Sequence, residues 1–203
     1  MKTATRHSRH GKRAFLALIA ATTLQAHAGD AGWRLTIIPT FETKPPITAP
    51  IPGSRTARLA VARHAGHDAL EYATTLGALR YARDMAAAHL EEWLAAAKVE
   101  ERRDKDGIIT RVLITSQDPL LPALAATPAF HTRYEPILGD NFYVVIPDRR
   151  TIALYPRLAS EGIPPRDAAA LLEINRTATY PVSREVFRAT RSGLAADGVL
   201  SEE

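Results

Sequence analysis

Apolar positions along this chain fall into three kinds of pattern. From about Asp68 to Arg103, Leu76, Leu79, Ala86, Leu90, Trp93 and Ala97 recur at three- and four-residue steps, with Ala82 and Arg83 filling the gap after Leu79, while Arg80, Asp84, Glu91, Glu92 and Lys98 fall on other faces. That spacing predicts one long amphipathic helix, open to interruption at Gly77. It stops at Asp104-Lys105-Asp106-Gly107, a turn signal. Ile108 to Thr115 (IITRVLIT) is rich in β-branched residues and predicts a strand. Asn141 to Ile146 (NFYVVI) and Thr151 to Tyr155 (TIALY) flank Pro147-Asp148-Arg149-Arg150 and predict a hairpin. Pro164, Pro165 and Asp167 open a second, shorter helix through Leu171, Leu172 and Ile174. Val182 to Thr190 can be read two ways: Val186 and Phe187 are β-prone, yet Ser183 can cap a helix with Arg184, Arg188 and Arg191 on one face. The strand is the expectation adopted here.

Proline interrupts the remainder. Trp33 to Phe41 (WRLTIIPTF) is a short β-prone stretch broken at Pro39. Thr43 to Arg58 carries Pro45, Pro46, Pro50 and Pro52 with Gly53 and Ser54, a composition that predicts an extended spacer. Ser116 to Gly139 holds four prolines and predicts a loop with a short helix around Leu120 to Ala126. The expected fold is therefore α+β: one long amphipathic helix packed on a small, mostly antiparallel sheet, with a second shorter helix. The expected organisation is a signal peptide over 1–28, an extended proline-rich arm over 29–62, one α+β domain over 63–198 and a tail over 199–203.

The signal peptide rests on three features in order. Lys2, Arg6, Arg9, Lys12 and Arg13 make a basic start, Ala14 to Leu24 is a short apolar run, and Ala26-His27-Ala28 is a small-x-small site with cleavage expected after Ala28. Lys12-Arg13 is an imperfect version of a twin-arginine pair, so the general secretory route is the expected one. The predicted location is the periplasm or the exterior, with no stable membrane span after cleavage.

Charge changes its meaning in this light. The 203 residues hold 26 Lys+Arg against 22 Asp+Glu, a net charge of +4, with a pI near 9.6. Such a balance raises nucleic acid as a partner. Yet five of the basic residues and none of the acids lie in 1–28, leaving 26 − 5 = 21 basic against 22 acidic residues, a net charge of −1. No nucleic-acid partner is expected; an envelope protein is. Cysteine is absent, which excludes disulfides, thiolate catalysis, Cys-type zinc sites and lipidation at cysteine. The apolar share of 46% suits a globular chain.

Candidate chemistry is sparse. His64-Ala65-Gly66-His67-Asp68 places two histidines three residues apart, where His64 and His67 could share a metal if a third ligand joined them. His89 and His131 stand alone. None of the serines sits in a G-x-S-x-G frame, and neither phosphate-binding glycine loop is present. Glu91-Glu92 and Glu100-Glu101 are adjacent pairs whose side chains diverge on a helix. No catalytic residue and no cofactor is assigned. Arg149 and Arg150, at the tip of the predicted hairpin, are candidates for contact with a carboxylate or phosphate on a partner. Asn175-Arg176-Thr177 forms a glycosylation sequon without consequence for a chain with a bacterial type of signal.

The runs GDNFYVVIPDRRTIALYPR (139–157) and TYPVSREVFRATRSGL (179–194), with a helix between them, resemble the C-terminal part of a bacterial α+β family of the YtpQ type. The resemblance implies an α+β fold and carries no catalytic residue across. The expectation for function is an exported, non-enzymatic binding or envelope-associated module. The alternatives are a secreted hydrolase built from dispersed Asp, His and Arg, and a metal-binding module using His64 and His67.

Overall fold

The structure, a computed structural model, describes residues 32–42, 47–66, 69–157 and 162–201. Ala28 and its flanks, like His67 and Asp68, lie outside the described residues. Two antiparallel sheets dominate. The smaller has four strands: β1 (Arg34–Pro39), β2 (Thr48–Pro50), β3 (Ala57–His64) and β4 (Leu70–Tyr72). β3 is its centre, pairing with β1 from Ala62 opposite Arg34 to Ala57 opposite Pro39, and with β2 and then β4 along its other edge. Leu35, Ile37, Leu59 and Val61 point into the main core.

Two short helices follow, α1 (Gly77–Ala88) and α2 (Leu90–Ala95). α1 buries Ala78, Ala82 and Ala86, spaced four residues apart, against the small sheet. Methyl-sized side chains on that face let the helix backbone approach the strands closely.

The larger sheet has six strands in the order β10-β9-β7-β8-β6-β5. They are β5 (Lys98–Arg103), β6 (Ile109–Thr115), β7 (Phe142–Val145), β8 (Thr151–Pro156), β9 (Glu185–Thr190) and β10 (Gly193–Val199). Alternation along each strand sorts the side chains. Phe142, Val144, Ile152, Leu154 and Phe187 enter the core shared with the small sheet. Val145, Ala153 and Tyr155 face the other way, under Ala168, Leu171 and Leu172 of α4 (Pro165–Thr177). Between β6 and β7 run a 3₁₀ helix (Leu121–Ala126) and α3 (Pro128–Leu138). Among the described residues, no helix is long and apolar enough to cross a membrane.

Three expectations require correction. The chain is mainly β, with two antiparallel sheets of four and six strands, and not one long helix on a small sheet. The apolar spacing over 68–103 covers β4, two separate helices and β5 instead of one helix. His89 leaves the helical region, at φ −111° and ψ 14°, and ends α1. Lys98–Arg103 (KVEERR) suits a helix by composition but pairs with β6 as an edge strand; such edges are commonly charged, which discourages further pairing. Arg102 reaches from it to the buried Asp167 of α4, at 2.8 and 2.5 Å. Third, the predicted arm over 29–62 supplies β1, β2 and most of β3. Its prolines fit because Pro39 ends a strand and Pro50 lies on the short β2.

Other expectations are met. β6 occupies the predicted strand, β7 and β8 pair as the predicted hairpin, and α4 starts at Pro165. The strand reading of 182–190 matches β9. One further departure is α3, which lies in a region expected as loop, whereas the short helix expected around Leu120 to Ala126 is the 3₁₀ helix. Thr127 caps α3, accepting from the Phe130 N–H at 3.3 Å, with Pro128 at the first helical position.

Candidate functional site

The β7–β8 turn is not a free tip. Val182 N–H donates to the Pro147 carbonyl at 3.0 Å, Arg149 N–H donates to the Tyr180 carbonyl at 3.3 Å, and Asp148 bridges to Pro181. Asn175 of α4 adds a bond from Nδ2 to the Pro147 carbonyl at 2.7 Å. The turn is therefore laced to the segment after α4. Between them lies a recess lined by Pro119, Asp148, Arg149, Arg150, Thr179 and Tyr180.

Arg149 forms the floor of this recess. Only 7% of it is exposed. Its Nη2 donates to both oxygens of Glu42, at 2.8 and 2.7 Å. The Tyr72 hydroxyl donates to the same Glu42 Oε1 at 2.7 Å. Burial, and then the hydrogen bond to Glu42, push the Tyr72 hydroxyl up to about 12, so it stays a donor at any ordinary pH. A buried guanidinium requires such a partner, because an unpaired charge in the interior is strongly destabilising. Arg149 also lies over the Tyr180 ring, 5.0 Å from its centroid, a cation–π contact. Tyr180 itself is 42% exposed.

The expectation that Arg149 meets a partner from an exposed turn is thus corrected: its guanidinium is committed to Glu42 inside the protein. Arg150 lines the recess, and its backbone N–H is held by Asp148 Oδ1 at 3.0 Å. The recess offers an aromatic face, a threonine hydroxyl, a proline wall and Arg150, with Asp148 beside it and a floor whose guanidinium is already paired with Glu42. Those groups favour non-covalent recognition of an anionic group beside an apolar one.

His64 ends β3, and its Nε2 lies 3.3 Å from Asp118 Oδ1. Asp118 also pairs with Arg34, whose guanidinium carbon lies 3.9 Å from the centroid of the Trp93 ring. Burial pushes the Asp118 carboxyl up, but the Leu120 N–H and the charges of Arg34 and His64 outweigh it and hold it below the usual carboxylate range. Among the described residues, no group of three or more His, Asp or Glu side chains could hold a metal. His131 is buried against Phe142, with Nε2 at 2.7 Å from the Asp140 carbonyl, and His89 pairs with Glu92.

Sequence reasoning missed Glu42, Tyr72 and Tyr180. Nothing local marks them, since each reaches Arg149 from a distant element. No family model, curated protein or solved structure matches the chain.

Proposed function

We propose that this chain is an exported, non-enzymatic binding module, and that its partner presents a carboxylate beside an apolar group to the recess at Asp148–Arg150 and Ala178–Tyr180. One observation carries the reading. Arg149 is locked by Glu42 and Tyr72 under an exposed Tyr180, with Arg150 alongside. The groups a partner would meet are thereby held in place before it arrives, which reduces the ordering cost of binding. Arginine and tyrosine are also the side chains that dominate protein interfaces. An envelope protein with an acidic, partly apolar segment is the partner that fits the export signal. The YtpQ-type resemblance of 139–194 adds no activity to this reading.

Site-specific photocrosslinking tests it. With a photoreactive residue at position 180 of the full chain in its own envelope, one adduct is expected, and Arg150→Glu removes it. The same residue at position 76, where Leu76 is 81% exposed, yields none. Equal adducts at both positions, or none at 180, would overturn the reading.

A further inference from the structure

Arg55 and Arg58 differ from most arginines of this chain. Neither guanidinium has a hydrogen-bond or ion-pair partner among the described residues. Both line a second recess together with Thr40, Thr48 and Ser54, and among the described residues no acidic one lines it. Two cations without an ion-pair partner lining one concavity favour an anion there.

Strand pairing and hydrogen bonds hold the lining residues. Thr48 and Pro50 of β2 pair with Ala60 and Arg58 of β3. Thr40 N–H donates to the Thr56 carbonyl at 2.8 Å, and the Thr40 hydroxyl donates to the Arg55 carbonyl at 3.1 Å. Behind the recess, Glu185 accepts from Ser54 Oγ at 2.5 Å, from Arg55 N–H at 2.7 Å and from Thr56 N–H at 3.3 Å. Its oxygens are therefore occupied by the loop that carries Arg55. The Thr48 hydroxyl remains as a third donor beside the two guanidinium forks.

We infer that this recess binds an oxyanion of the phosphate class. A doubly charged tetrahedral anion matches two cations in charge, and planar guanidinium forks meet such oxygens in pairs. The site is separate from the one at Tyr180 and stands without it. Its phosphate can come from a free phosphate or phosphomonoester, or from an anionic lipid headgroup.

Calorimetric titration of the full chain with inorganic phosphate at low ionic strength is the first arm of the test. Flotation with phosphatidylglycerol vesicles, against phosphatidylcholine vesicles, is the second. Saturable phosphate binding without flotation assigns the free anion. Flotation on the anionic vesicles that is lost in Arg58→Ala assigns the headgroup. In either arm Arg55→Ala and Arg58→Ala each lower affinity by about tenfold, equivalent to ~1.4 kcal/mol, and Arg58→Lys loses less than Arg58→Ala. Both side chains reach solvent, so circular dichroism should show unchanged folding. Arg166→Ala, an exposed arginine elsewhere, changes nothing. The inference is overturned if phosphate gives no saturable binding and no Arg58-dependent flotation occurs, or if Arg166→Ala weakens binding as much.

Discussion

Glu185 shows how one buried carboxylate can order a loop from far along the chain. It is 4% exposed, and its oxygens collect the Ser54 hydroxyl and two consecutive backbone N–H groups. Burial pushes its carboxyl up, but the hydrogen bonds from Ser54, Arg55 and Thr56 outweigh that effect and hold it below the usual carboxylate range. A carboxyl lowered by folding adds stability above its unfolded value, and that stability disappears as pH falls through the depressed folded value. Glu185→Gln replaces an acceptor with a donor that faces other donors. We expect it to lower unfolding stability by about 2 kcal/mol near neutral pH. The gap between wild type and variant should narrow as the medium is made acidic, because the native carboxyl then protonates too. Urea titrations at several pH values measure this, and a gap independent of pH would disprove the linkage.

The β9–β10 hairpin poses the matching question at the level of elements. Gly193 opens β10 at φ +111°, and a Cβ there would stand 3.1 Å from the Ala126 carbonyl oxygen. Gly198, in the same strand, has nothing within 4 Å of such a Cβ and no positive φ. Gly193→Ala is therefore expected to destabilise by about 1–3 kcal/mol, and Gly198→Ala to stay within about 0.5 kcal/mol of wild type. Equal shifts in the denaturation midpoint would show that neither the backbone angle nor the close approach matters. The same elements show what a linear reading can reach. β6 was legible because its β-branched run states the strand locally, and the β7–β8 hairpin because a polar turn splits two apolar runs. β5 was not, since KVEERR favours a helix until pairing with β6 and the reach of Arg102 to Asp167 overrule it. β1 was legible as the β-prone stretch ending at Pro39, whereas β2 was hidden by prolines that turn out to sit on an edge strand, and β3 follows directly from that proline-rich run. The site was legible only as the Arg149-Arg150 pair. Glu42 lies 107 residues from Arg149, and Ser54 lies 131 from Glu185, so neither bond leaves a local signature.

Across the whole molecule, the two sheets share a core and are tied by charged pairs, Glu42 to Arg149 and Arg34 to Asp118, and by the Glu185 bonds to the 54–56 loop. Net charge gives the molecule little long-range attraction for anions once the proposed signal is gone. With cleavage after Ala28, the charge falls from +4 to 21 − 22 = −1. Any oxyanion must then be held by local fields at Arg55 and Arg58, because a nearly neutral surface steers weakly. The export proposal therefore makes two linked predictions. Protein recovered from the periplasm or medium should begin at Gly29, as N-terminal sequencing would read. Isoelectric focusing should place it well below the precursor, whose pI is near 9.6. A retained signal would keep both Met1 and the basic pI. Exported protein that starts near Met1, or focuses with the precursor, would refute the cleavage. It would also restore the basic excess that first suggested a polyanionic partner.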